Sequence, residues 1–296
     1  MTRKPHDQFA KEYLEELLSL LGQVETAREV ASEVREIDVY FVPTSPPPTN
    51  PKILGLLGQM AATASLYEPF RNQPSRLEVL NCQSKLNFVI NRQGRRARRE
   101  KVAYTEAEWP FLWILCPSCS AKLVKRFEAK ADPAGQWPVG VYFLPEGQNC
   151  ALVAINQLPV NPDTLWLRVL GKGKTQEGAI AELEALPKGN PLRQNLGELL
   201  ASWHVTIETS DNITEDDREL LMKLSPVYLR WREDTLEQGQ REERREMIEN
   251  FFNVRFGSVD SELSAIVEPM LQLSRPELTR LLLSASREEL LERFGG

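Results

Sequence analysis

The amino-acid sequence predicts an α/β chain: a mixed β-sheet flanked by helices, then helical segments and a small all-α C-terminal domain. Three observations carry this. Phe9, Tyr13, Leu14, Leu17, Leu18 and Leu21 recur at steps of three and four, the period of an amphipathic helix. Two short β-type runs, Thr26–Val34 and Ile37–Val42, follow in hairpin order, and Phe111–Cys116 is a continuous apolar run of strand length. Past Asp163 only helical patterns appear.

In chain order, Gly22 closes the first helix. In the second β run, alternation puts Asp38 on one face with Tyr40 and Val42. Thr44–Pro51 contains four prolines and breaks the chain. Ile53–Ala62 is a short helix and Leu66–Phe70 a short strand closed by Arg71, Asn72 and Pro74. Leu77–Arg99 is a long helix with Val79, Cys82, Leu86, Val89 and Ile90 on one side. The apolar strand Phe111–Cys116 leads into a helix over Ala121–Ala129. Val139–Leu144 and Ala151–Ile155 are strands joined by a Pro-Glu-Gly-Gln-Asn turn. Helices are expected over 163–170, 175–186, 191–207 and 214–222. Thr235–Asn250 is almost wholly polar, an exposed helix or a linker. The end of the chain reads as helices over 245–255, 259–271 and 275–282, with a last turn at 286–293. The expected division is a core over 1–160, a helical extension packed on it over 161–234, the polar stretch 235–250, and a C-terminal domain over 251–296. That last piece is small for independent stability, so docking or self-association through its helices, as in a homo-oligomer, is expected.

With 296 residues, 42% hydrophobic and 26% charged, the composition is that of a globular protein. No apolar run approaches the roughly eighteen residues that a membrane helix requires. Residues 1–9 have no apolar stretch behind Arg3 and Lys4, so no secretory signal is expected. Four cysteines in a chain of this length do not form a disulfide framework, which points to a reducing cytoplasm. The net charge of −6 argues against a protein that coats nucleic acid indiscriminately. The excess of acids lies past residue 210, however, and the part before it is close to neutral and free to approach DNA.

Asp38 is the single acid inside an otherwise apolar strand, where an ionised carboxylate is costly unless paired or bound to a metal. Glu68, in Leu-Tyr-Glu-Pro-Phe-Arg, lies on the one short strand able to bring a second acid, and Glu12 on the first helix is a candidate third. Two such acids a few ångströms apart hold Mg²⁺, which activates water and stabilises charge on a phosphate; a nearby base or Gln orients the water. The alternative is that Asp38 caps a strand edge or pairs with Arg35 or Arg71. Arg92, Arg95, Arg96, Arg98, Arg99 and Lys101 form the densest basic run, either for DNA phosphates or as a solvated helix end that complements the macrodipole. Cys116-Pro117-Ser118-Cys119 follows a buried strand and opens a helix, the setting of a redox pair or of two buried thiols. Gly171-Lys172-Gly173-Lys174-Thr175 imitates the end of a phosphate-binding loop, but Arg168 stands where its first glycine belongs.

His6-Asp7-Gln8-Phe9 with Lys11-Glu12 resembles the opening motif of the recombination-promoting nuclease and transposase-derived branch of the PD-(D/E)xK superfamily. Arg35-Glu36-Ile37-Asp38-Val39-Tyr40-Phe41-Val42-Pro43, Glu68-Pro69-Phe70-Arg71-Asn72 and Thr164-Leu165-Trp166-Leu167-Arg168-Val169-Leu170-Gly171 resemble a cyanobacterial subgroup of it. From Arg241 to Phe294 the chain is similar to a small domain of unknown function often appended to these proteins. The resemblance implies a restriction-endonuclease-like sheet and a Mg²⁺- or Mn²⁺-dependent DNA endonuclease, with Asp38 and Glu68 as metal ligands, Glu12 assisting, and Lys85 or Arg71 orienting water or phosphate. The third strand of the family reads acid-x-Lys or acid-x-Gln, whereas residues 68–70 read Glu-Pro-Phe. Either Pro69 distorts the strand, or the base has moved to the following helix (Lys85, with Gln83 as a polar alternative), or the site is inactive. The expected function is therefore DNA cleavage, with a catalytically degenerate DNA- or protein-binding adaptor as the alternative.

Overall fold

Helix α1 (Pro5–Ser19) forms where the apolar period places it and buries Phe9, Ala10, Tyr13, Leu14, Leu17 and Leu18 along one side. The computed structural model describes residues 5–30, 35–187, 190–209 and 215–295. Strand β1 (Gly22–Val30) begins at Gly22, earlier than the expected start at Thr26; its pairing extends to Gly22 opposite Pro43, where a side chain would collide with the Val42 carbonyl. The last four residues of the expected run, 31–34, lie outside the described residues. Strand β2 (Arg35–Pro43) pairs antiparallel with β1, Thr26 opposite Val39.

A short helix α2 (Gly55–Met60) leads to β3 (Ser65–Pro69), and α3 (Arg76–Glu100) starts at a capping box in which Ser75 and Glu78 each satisfy the other's backbone N–H. Strand β4 (Phe111–Cys116), α4 (Ala121–Arg126), and strands β5 (Lys130–Ala131), β6 (Val141–Phe143) and β7 (Cys150–Ala154) complete the sheet. The two-residue β5 is too short for any sequence pattern to reveal. The seven strands run in the order β1-β2-β3-β4-β7-β6-β5. The β3–β4 and β4–β7 pairs are parallel and the others antiparallel, so the sheet is mixed as expected.

Each face of the sheet has its own core. Val39, Phe41, Tyr67, Trp113, Leu115 and Val153 pack in one apolar cluster with α1. The same cluster takes in Trp166 and Leu167 from α5 (Leu165–Arg168), Ile180 from α6 (Lys174–Glu184), and Leu196 and Trp203 from α7 (Pro191–Glu208). Tyr40, Leu66, Leu112, Ile114 and Leu152 join Val79, Cys82, Leu86 and Val89 of α3 on the other face. This is the two-sided burial that makes β4 read as an unbroken apolar run.

Helix α8 runs over Glu215–Phe256 without stopping at the predicted end near 222 or at Pro226. Its polar stretch consists of good helix formers, and exposed pairs such as Gln238–Glu242 and Arg245–Glu249 span single turns. The expected start at residue 214 lies outside the described residues.

The chain divides into two compact units, residues 1–228 and 229–296. Residues 161–228 thus share a unit with the sheet, and the boundary falls within α8. In the second unit the end of α8 joins α9 (Ser261–Leu271), α10 (Arg275–Ser284) and α11 (Arg287–Phe294) around Ile248, Phe252, Leu263, Ile266, Val267 and Met270. Arg287 clamps Asp260 and Glu262 at 2.6 and 2.7 Å. Among the described residues, no helix is long and apolar enough to cross a membrane.

Candidate active site

Strand register brings the two predicted acids together. Val39 lies opposite Tyr67 and Tyr40 opposite Leu66, so the next step along the same antiparallel register sets Asp38 across from Glu68. Alternation directs both towards the face of Tyr40 and Leu66, the face covered by α3. Pro69 keeps its place in β3, opposite Leu115 of β4, so the strand runs regularly past Glu68.

The base comes from α3. Lys85 follows Cys82 by three residues on the helix face that packs on the sheet, and its Nζ lies 2.5 Å from Glu68 Oε2. The Cys82 thiol is 3.9 Å from the same oxygen. Glu68 is 1% exposed, and its Oε1 has no hydrogen-bond partner among the described residues. Gln83, the polar alternative, donates instead to Gln148 at 2.6 Å.

Burial, and after it the negative charge of Asp38, pushes the Glu68 carboxyl up to about 8; the Lys85 ammonium works against the rise. Desolvation opposes the charge on Lys85, but the Glu68 and Asp38 carboxylates outweigh it and hold its pKa above the ordinary lysine value. Two carboxylates and an ammonium thus meet where Glu68 is buried and Asp38 is part-exposed, and their titrations are linked.

The partner of Asp38 is Lys11 of α1, not Arg71: its Nζ stands 2.7 Å from Asp38 Oδ1 and 3.8 Å from Glu36 Oε2. The side chain of Arg35 lies outside the described residues. Lys11 is the member of the site that sequence reasoning passed over. Its signal was a lysine flanking the apolar stripe of a helix otherwise buried on that side. Glu12, its neighbour, takes a hydrogen bond from Gln8 one turn earlier, and none to Asp38 or Glu68 is present among the described residues. Arg71 directs its guanidinium to Gln176 of α6 at 3.4 Å and lies close enough to His6 to help burial lower that imidazole to about 3. The structure therefore gathers Asp38, Glu68 and Lys85 of the expected set, and puts Glu12 and Arg71 in other company.

Arg92, Arg95, Arg96, Arg98 and Arg99 are all exposed on the second half of α3, with Arg96 bonded to Glu100 at 2.7 Å. The thiols of Cys116 and Cys119 stand 3.2 Å apart, and their hydrogen bond lowers Cys119 while it raises Cys116. All four cysteines are buried and free. Among the described residues no group of three or more His, Cys, Asp or Glu side chains is gathered for a metal. No protein-family model, curated protein or solved structure matches the chain.

Proposed function

We propose that Asp38 and Glu68 hold a divalent cation, Mg²⁺ or Mn²⁺, for hydrolysis of DNA phosphodiesters, the chemistry of the PD-(D/E)xK nucleases that the sequence resembles. The observation that carries this reading is the carboxylate pair itself, with Glu68 buried and Asp38 part-exposed beside it. Setting Glu68 beside Asp38 away from water costs desolvation and like-charge repulsion, both of which a cation between them relieves. The unpartnered Oε1 of Glu68 suits a ligand atom, and hard divalent cations take carboxylate oxygens, with water and substrate oxygens completing their shell. When bound, such an ion lowers the pKa of water and stabilises charge on the phosphate. Lys85 supplies the fixed positive charge beside Glu68, in the role that acid-x-Lys gives to a strand lysine, and orients water or phosphate. Lys11 holds Asp38 in place.

The test is plasmid nicking with and without Mg²⁺ or Mn²⁺, comparing wild type with Asp38→Ala and Glu68→Ala. Cleavage that requires the metal and is lost in both variants is expected. A folded wild-type protein that cuts with neither metal would sink the reading.

The two ammonium groups favour a second reading. Lys85 on Glu68 and Lys11 on Asp38 already give each acid a cationic partner without a metal, as suits a degenerate member that binds DNA or protein and self-associates through its C-terminal helices. Thermal stabilisation by Mg²⁺ discriminates. A shift that vanishes in Asp38→Ala supports the metal centre, and no shift in wild type supports the adaptor.

A further inference from the structure

A cavity of about 330 Å³ lies between the second half of α3 and the β1–β2 hairpin. Tyr40, Val42 and Val89 give it an apolar floor, and Arg92, Arg96 and Arg99 supply three guanidinium groups against the one carboxylate of Glu25. Gln93 stiffens the wall: it donates to the Tyr40 hydroxyl at 2.6 Å and accepts from the Tyr104 hydroxyl at 2.5 Å. The exposed Arg96–Glu100 pair is of the weak, single-turn kind and yields readily to a phosphate.

The cavity continues the site already described. Tyr40 is two residues beyond Asp38 on the same face of β2, about 7 Å along the strand. Val89 is one turn beyond Lys85 on α3, about 6 Å along the helix. Arg92, Arg96 and Arg99 return to the face of Lys85 at 3.6 residues a turn, about 10, 16 and 21 Å further along, whereas Arg95 and Arg98 are rotated off it. Positive charges therefore track away from the carboxylate pair along a single edge of the helix, above an apolar floor.

We infer that the cavity binds one nucleotide of a single-stranded nucleic acid, whose backbone runs along Arg92, Arg96 and Arg99 towards Asp38 and Glu68. Its place as the approach to a cleavage centre rests on the proposed function; its capacity to bind a strand does not. The volume is at the small end for a ligand site, room for a base and not for a base pair. An apolar floor rimmed with guanidinium groups suits an unpaired base, which exposes its π-face, beside a phosphate. A duplex hides its bases and offers such a floor nothing to meet.

The experiment measures fluorescence anisotropy of a labelled oligothymidylate and of a hairpin duplex of equal length, with EDTA present throughout. The expected result is tighter binding of the single strand. The triple variant Arg92→Gln, Arg96→Gln, Arg99→Gln loses about tenfold or more of that affinity, and its salt dependence flattens by about 2 in log–log slope. The pair Arg95→Gln, Arg98→Gln loses less than about threefold. All five side chains are exposed, and circular dichroism melts check that both variants fold. Equal or tighter duplex binding, equal loss in the two variants, or no binding by wild type would each overturn the inference. Because no metal is present, strand binding with no nicking activity leaves this inference standing and removes the cleavage reading, and the converse removes this inference alone.

Discussion

Glu68→Gln is expected to remove a weakness of the fold at alkaline pH and, on the proposed function, to abolish metal-dependent cleavage. The loss of cleavage follows from the loss of one of the two carboxylates of the proposed centre. Metal-borne stabilisation of a transition state amounts to several kcal/mol, so a fall of about a hundredfold or more is expected in nicking rate. The pH effect follows from the displaced ionisation of Glu68. In the unfolded chain it ionises near 4.5 and in the folded chain near 8. Between those values the folded state holds a proton that the unfolded state has released. Stability is therefore fully present below about 4.5, declines as pH rises, and has lost its whole share above about 8. The share is on the order of 3–5 kcal/mol for a shift of this size in a buried group. A glutamine keeps an acceptor for Lys85 and has no proton to lose. Urea unfolding at pH 5 and pH 9 checks this: wild type weakens towards pH 9 by more than the variant. Equal pH dependence in the two proteins would contradict the ionisation assigned to Glu68. On the proposed metal centre the same proton must leave when a cation binds, so stabilisation of wild type by Mg²⁺ should grow from pH 6 to 9.

Glu182→Ala should destabilise the first unit by about 2–4 kcal/mol. Arg168 is 1% exposed, and its guanidinium donates to both carboxylate oxygens of Glu182, at 2.9 and 2.7 Å. It also donates to the Thr164 hydroxyl and the Asn161 carbonyl, at 3.0 and 2.9 Å. The hydrogen bonds from Arg168 hold the Glu182 carboxyl below the usual range. Removing the carboxylate leaves a buried cation without its counter-charge, the costly way to break such a pair. The cost is set below that of a fully buried pair because Glu182 is 38% exposed and water reaches its outer edge. The double variant Arg168→Met, Glu182→Leu should lose less than Glu182→Ala alone, since it removes the charge along with its partner. Chemical denaturation of the three proteins reads both effects. A loss below about 0.5 kcal/mol in Glu182→Ala would show that the pair carries no weight.

The difference between Arg168 and Asp38 shows how far residue patterns reach. Asp38 stood out because a lone acid in an apolar strand has few tolerable explanations. Arg168 entered as a residue of a family-like run and as the place where a phosphate-binding motif lacks its glycine, and neither signals a buried ion pair. Its partner Glu182 lies on another helix, and nothing local announces the contact. The polar stretch within α8 had a similar limit: its composition allowed either a linker or a helix, and the turn-to-turn pairs along it now favour one continuous helix.

By itself the sequence determined the identity and order of most elements, because helix and strand periods are local properties of side-chain burial. It also determined that Asp38 shares a strand face with Tyr40 and Val42, since alternation along a strand has no freedom once the strand exists; that Glu68 lies on the same sheet face came from the β2–β3 register. Only the tertiary structure decided which cation meets which acid. Lys85 reaches Glu68 from the neighbouring helix, and Lys11 reaches Asp38 from the first. Those pairings depend on the β2–β3 register and on the rotation of two helices about their own axes. Small differences summed over many distant contacts set such quantities, and no short stretch of sequence contains them.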